Sequence, residues 1–198
     1  MKRFIIAALS VLFLLSSGTA VFAKTTKSSR STTSSFSSDS GDFEIDGSFA
    51  FATGPGDFGS GYGVNFGAGY MLRSIDNNLQ GRVDLSYYDF SYTYGYLGYG
   101  YDLSYTRIPL TVSARYYFPI NDRLKAFVQA GLETSYDSVD YVDGFGNKHT
   151  ESDVNLGISP GGGIEFYPTS KVSIFAVGRI HMISDSYFSM QFGGAFHF

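Results

Sequence analysis

From Asp42 to its last residue the chain alternates bulky apolar residues with small or polar ones, and the alternation recurs in eight stretches. Successive side chains of a β-strand point to opposite faces, so each stretch reads as a strand with one greasy face. The first, 43–51, sets Phe43, Ile45, Phe49 and Phe51 against Glu44, Asp46 and Ser48. In 62–72, Tyr62, Val64, Phe66, Ala68, Tyr70 and Leu72 oppose Gly63, Asn65, Gly67 and Gly69. The third, 79–87, sets Leu79, Val83, Leu85 and Tyr87 against Gln80, Arg82, Asp84 and Ser86. The same pattern runs through 107–118, 124–134, 154–166, 171–183 (the least regular) and 187–198, where Phe188, Met190, Phe192, Phe196 and Phe198 share one parity. No intervening stretch has helical periodicity, so no helical layer is available to cover the greasy faces.

A closed barrel resolves this in one of two ways. A soluble barrel of the lipocalin type turns its apolar parity inward, whereas a membrane barrel turns it toward lipid and keeps a polar lumen. Charge separates the two. The non-apolar parity carries Glu44, Asp46, Arg82, Asp84, Arg107, Arg115, Lys125, Glu133, Glu165 and Arg179, interleaved with glycines, and the apolar parity carries no formal charge. Hydrocarbon tolerates only the second kind of face. The expected fold is therefore all-β, an eight-stranded antiparallel up-and-down transmembrane β-barrel over 42–198. Its ten charged residues form a polar network in the lumen.

The connections fit this reading. Links around 73–78, 119–123 and 168–170 are short, whereas those between strands 1–2, 3–4 and 5–6 are longer, the last spanning roughly 137–153. Short turns on one side and long loops on the other are the outer-membrane pattern, with both termini on the periplasmic side. The short final connection, 184–186, departs from it. Phe43, Tyr70, Tyr116, Phe118, Phe166 and Phe198 lie near strand ends, as an interfacial aromatic girdle requires.

The N-terminus adds an address. Lys2 and Arg3 precede an apolar run over 4–15, and Val21-Phe22-Ala23 offers a cleavage site after Ala23, so 1–23 reads as a signal peptide. Twelve residues, interrupted only by Ser10, fall short of the roughly 20 a spanning helix needs. Residues 24–41 are Ser/Thr-rich with one aromatic and read as a flexible leader. The chain has no Cys, which excludes a disulfide framework. From Asp42 onward it carries 9 basic and 17 acidic residues, a balance that disfavours nucleic acid.

With these features the chain resembles the small outer-membrane β-barrel family of OmpX and the OmpA membrane domain. The resemblance covers 42–198 and rests on architecture and on the C-terminal strand. It implies location in the outer membrane of a Gram-negative envelope, among lipid and lipopolysaccharide, as a monomer. In that family a last strand of alternating aromatics ending in Phe resembles the signal read by the barrel-assembly machinery. Phe188, Phe192, Phe196 and Phe198 match it. The implied role is structural or interactive, a loop-presenting anchor of adhesin type, with a narrow porin-like channel for ions or small solutes as the alternative.

Candidate chemistry is sparse. A hairpin tip at Leu97-Gly98 would pair residues whose numbers sum to 195, placing Arg82 opposite Ser113 and Asp84 opposite Thr111. A sum near 242 between the next two strands would set Glu133 diagonal to Arg107. Such ion pairs read as a plug, since eight strands leave no open pore. Tyr92, Tyr94, Tyr96, Tyr99 and Tyr101 would form a tyrosine ladder on a projecting hairpin, a candidate surface for an extracellular protein or glycan. The acidic stretch 137–153 lacks calcium-loop spacing and reads as solvated. A lipid A deacylase would need His and Ser two apart on one strand face, whereas His181 and Ser184 are three apart. His149 is expected in a loop and His197 near Glu44, with no metal site, cofactor or catalytic residue among them.

Overall fold

The computed structural model describes residues 41–198 apart from 55–58, 97–98 and 143–147, and only the backbone over 92–103. The expected signal peptide, and all of the leader but Gly41, lie outside the described residues.

Eight antiparallel strands close into a barrel. In chain order they are β1 (Phe43–Thr53), β2 (Ser60–Met71), β3 (Leu79–Tyr96), β4 (Tyr99–Pro119), β5 (Leu124–Val142), β6 (Lys148–Ile158 continuing as Gly161–Phe166), β7 (Val172–His181) and β8 (Tyr187–His197). Each pairs with its chain neighbours, and β1 pairs with β8 to close the ring. The two halves of β6 keep one register against β5, Leu132 opposite Ile158 and Gln129 opposite Gly161. The interruption falls at Pro160, which has no N–H to give to a ladder.

The apolar parity faces outward and is bare. Phe49 is 72% exposed, and the belt runs on through Ile45, Phe66, Leu85, Leu132, Ile174 and Phe192. An exposed apolar surface that encircles a protein is covered by hydrocarbon in a membrane barrel. The opposite parity is buried, and fit inside the narrow ring comes from pairing large with small. Gly61 sits opposite Phe90, Gly63 opposite Tyr88, Gly163 opposite Phe127 and Gly193 opposite Phe175.

Strand lengths are unequal. β1, β2, β7 and β8 run 10 to 12 residues, about the length that crosses a bilayer. β3, β4 and β5 run 18, 21 and 19 residues. Seven extra residues at about 3.3 Å each carry these strands on the order of 20 Å past their neighbours. The expected 137–153 loop is therefore mostly strand: β5 and β6 stay paired out to Val142 and Lys148. Sequence reading ended these strands where the apolar parity ended. The ladder continues because Thr150 bonds across to Asp140 (2.6 Å) and Tyr141 stacks on His149 (centroids 5.2 Å). His149, expected in a loop, thus lies in a strand.

Candidate functional site

The lumen is built in three layers. At the end carrying Gly41 and Phe198, Tyr117, Phe127, Phe175, Val177 and Ala195 form an apolar cluster. At the opposite, loop end, Ala50, Ala52, Tyr88, Phe90, Tyr105, Ile183 and Tyr187 form another. Charged side chains from nearly every strand fill the space between.

Arg82 is the hub. Its guanidinium donates to Glu44 Oε1 (2.5 Å), to Asp46, and to Asp84 Oδ1 (3.0 Å). Arg179 reaches across the lumen to the other oxygen of Asp84 (2.8 Å), and Gln80 donates to Glu44 Oε2 (2.7 Å). Arg115 lies over the Phe127 ring at 4.0 Å, bonds Gln129, and stands 3.9 Å from both Glu44 and Glu165. Lys125, half-buried near the rim, holds its ammonium 4.4 Å from the Tyr167 ring. Fixed charges in a closed space need such partners, because an unpaired one costs several kcal/mol (about 3–5).

The register between β3 and β4 has the expected sum, with Arg82 opposite Ser113 and Asp84 opposite Thr111. That between β4 and β5 is shifted by two, and Glu133 faces Thr111 instead of lying diagonal to Arg107. The shift follows from side-chain chemistry. Arg107 lies opposite Asp137 and takes its carboxylate in two bonds of 2.8 Å, and Ser135 and Asn155 also donate to it. Asp137, read from sequence as part of a solvated loop, is a buried lumen residue.

Glu133 turns to His181. Nδ1 of His181 donates to Glu133 Oε2 (2.6 Å), and Nε2 lies 2.9 Å from Ser189 Oγ. The serine near His181 is thus Ser189 from the next strand and not Ser184. The order Ser–His–Glu is that of an activated nucleophile. Ser189 is nonetheless fully buried, and the Tyr187 ring lies flat on the imidazole at 4.1 Å. The trio ties β5, β7 and β8 together beneath an aromatic lid.

At the other rim His197 stands opposite Glu44, as expected. Its ring nitrogens lie 3.8 Å from Glu44 and 3.5 Å from Glu165, and Ser173 donates to Glu165 (2.5 Å). The donor atoms of Glu44, Glu165 and His197 all lie within 4.8 Å of one another. Gln80 and Arg82 donate to Glu44, whereas Glu165 accepts from Ser173 on Oε1 and its Oε2 has only Arg115 at 3.9 Å.

The ten charges predicted for the lumen all lie on its inner face, Lys125 alone being half-buried. Sequence reading put Tyr187 on the non-apolar face of the last strand but missed the inward aromatics Tyr88, Phe90 and Tyr105 and the polar trio around His181. Their parity was the available signal: Tyr88, Phe90 and Tyr187 share the charged face of their strands. The tyrosine ladder is placed only by register, with Tyr94 opposite Tyr101, Tyr96 opposite Tyr99 and Tyr92 opposite Leu103. Phe188, Phe192, Phe196 and Phe198 all face outward and are exposed.

A model of the outer membrane protein beta-barrel domain family matches residues 9–194. The chain belongs to this family. Solved structures of similar fold include Ail, the attachment invasion locus protein of Yersinia pestis (17% identity, 80% of this chain and 99% of that chain, TM-score 0.55). Neisserial surface protein A aligns at 20% identity over 80% of this chain and 99% of its own, with TM-score 0.53. The outer membrane protein OprG from Pseudomonas aeruginosa aligns at 12% identity over 80% and 96%, with TM-score 0.62. No curated protein matches the chain in sequence. At these identities the outer membrane β-barrel family supplies the fold and leaves activity to be argued from the residues.

Proposed function

We propose that the protein is exported by a cleaved signal peptide to the outer membrane of a Gram-negative cell, and serves there as a non-catalytic anchor presenting a binding surface. One observation carries this reading. The lumen is filled with paired charge and lidded by aromatics at both ends, whereas β3 to β6 continue well past the apolar belt as paired strands. A barrel used as a pore needs an open lumen, and nothing in the filled interior favours that alternative. Insertion by the barrel-assembly machinery through the Phe198-terminated strand, monomeric residence among lipid and lipopolysaccharide, and a role without cofactor complete the proposal.

An Ail structure contains the heparin analogue sucrose octasulfate. The same ligand class does not suit this chain, whose projecting strands expose Asp140, Glu151 and Asp153. Cells displaying the full chain are expected to adhere to surfaces coated with extracellular-matrix protein and not to heparin. Trimming β3–β4 and β5–β6 to the length of β1 should abolish adhesion and leave the heat-dependent shift of the barrel on SDS gels intact. Adhesion that survives trimming would refute the assignment. In planar bilayers the purified barrel is expected to give no reproducible conductance steps.

A further inference from the structure

The buried charges of the lumen do not balance one another. Among the described residues six carboxylates are buried, on Glu44, Asp46, Asp84, Glu133, Asp137 and Glu165, against the four guanidiniums of Arg82, Arg107, Arg115 and Arg179. Lys125, half-buried at the rim with its ammonium against the Tyr167 ring, offsets part of the surplus. A buried charge without a close partner is costly, so the surplus favours a further cation. It is least answered at Glu165. The Oε2 atom of this fully buried residue has no hydrogen-bond partner, and Arg115 stands 3.9 Å from it.

His197 offers a lone pair beside the same carboxylates. Ser173 has one hydroxyl proton, and it goes to Glu165 Oε1 (2.5 Å), because an ionised carboxylate only accepts. The Ser173 oxygen lies 2.9 Å from His197 Nε2 and therefore accepts the proton of that nitrogen. A neutral imidazole protonated on Nε2 keeps a lone pair on Nδ1. Here Nδ1 faces Glu44 Oε2 at 3.8 Å, beyond hydrogen-bond reach. Glu44 Oε2 accepts from Gln80 and has a second lone pair to give. Metal-binding histidines use their other N–H in the same way, since a bond such as that to Ser173 fixes both ring and tautomer.

We propose that Glu44, Glu165 and His197 bind a divalent first-row metal ion of the zinc type at the rim carrying Gly41 and Phe198, with Ser173 positioning the imidazole. One imidazole and two carboxylates suit zinc better than magnesium, which prefers oxygen ligands alone. The ion is structural. Its ligands come from β1, β6 and β8, so the set is complete only once β1 has paired with β8. An ion that binds the closed ring and not the open one stabilises closure by mass action. Sequence reading placed His197 near Glu44 but had no means of adding Glu165, which enters from a third strand. The site is independent of the surface-binding reading above.

The test uses the full folded chain in detergent micelles, stripped with a chelator and titrated with Zn2+ alone. One ion per barrel is expected to bind, with imidazole scattering in its X-ray absorption spectrum. It should also raise the temperature at which the folded gel band converts, and excess Mg2+ should not displace it. His197→Asn should weaken binding at least tenfold and cancel the temperature shift. Ser173→Ala should weaken binding about tenfold, the scale for removing the partner of a metal-bound histidine. His149→Ala, on the projecting part of β6, should change neither binding nor shift. Binding that survives His197→Asn, or that is lost with His149→Ala, overturns the site. So does Zn2+ that leaves the conversion temperature of the wild type unmoved. Should His197→Asn fail to fold, the spectrum of His149→Ala decides, because imidazole scattering kept there supports the site and its loss overturns it.

Discussion

Arg82→Ala is expected to cost the barrel about 3–5 kcal/mol, the range for removing one partner of a buried ionic group. Arg82 bonds Glu44, Asp46 and Asp84, none of which reaches solvent. Alanine would leave the three carboxylates around an empty centre, with Arg179 holding only Asp84 and Arg115 standing 3.9 Å from Glu44. The readout is the urea midpoint of refolded protein in lipid vesicles, with the temperature at which the folded gel band converts as a second measure. A variant that also carries Glu44→Gln and Asp46→Asn should recover much of the loss, because neutral amides can bond one another. An Arg82→Ala barrel that melts with the wild type would show the lumen network to be energetically idle.

The second large effect concerns two neighbouring glycines with opposite fates. Gly193 points inward, where an added Cβ would lie 2.3 Å from the Gly47 carbonyl oxygen and 2.8 Å from the Phe175 ring. The backbone oxygen cannot yield without breaking the β1–β8 seam. Gly194 points outward, and its nearest neighbour would be the Ser173 carbonyl oxygen at 3.4 Å. Gly193→Leu is expected to abolish the folded band, well beyond the roughly 1–3 kcal/mol of ordinary overpacking. Gly194→Leu should fold with a midpoint within about 0.5 kcal/mol of wild type, since it adds one more apolar group to the lipid face. Comparing the unboiled bands of the two variants decides the matter, and equal folding would mean the assigned faces are wrong.

The parity of residues made the barrel readable. Hydrocarbon outside and charge inside impose a period of two on every strand, and one misplaced charge such as Glu165 would have broken it. The β3–β4 register was legible because the two strands pair as far as Tyr96 opposite Tyr99, so alignment is set locally. The β4–β5 register was not, since the short turn at 120–123 admits more than one alignment and a buried pair, Arg107 with Asp137, selects among them. The projecting strands were hidden for a related reason. Once both faces meet water, alternation fades, and the stretch after Asp140 reads as a loop although Asp140–Val142 and Lys148–Thr150 form a ladder. The His181 trio was out of reach because its members come from three strands and lie 48 and 8 residues apart.

The bond between Asp84 and Arg179 joins residues 95 positions apart, and Glu44 meets His197 only at the seam. Contacts of such range reward the chain late, after most of its loop entropy has been lost. Every intermediate short of closure holds carboxylates from β1 and β3 without their full set of cations, in a membrane that offers no water to shelter them. A half-built barrel is therefore expected to be less stable than a closed one, with refolding kinetics in lipid vesicles expected to show a single phase. The residues synthesised last make the earliest ones tolerable in lipid.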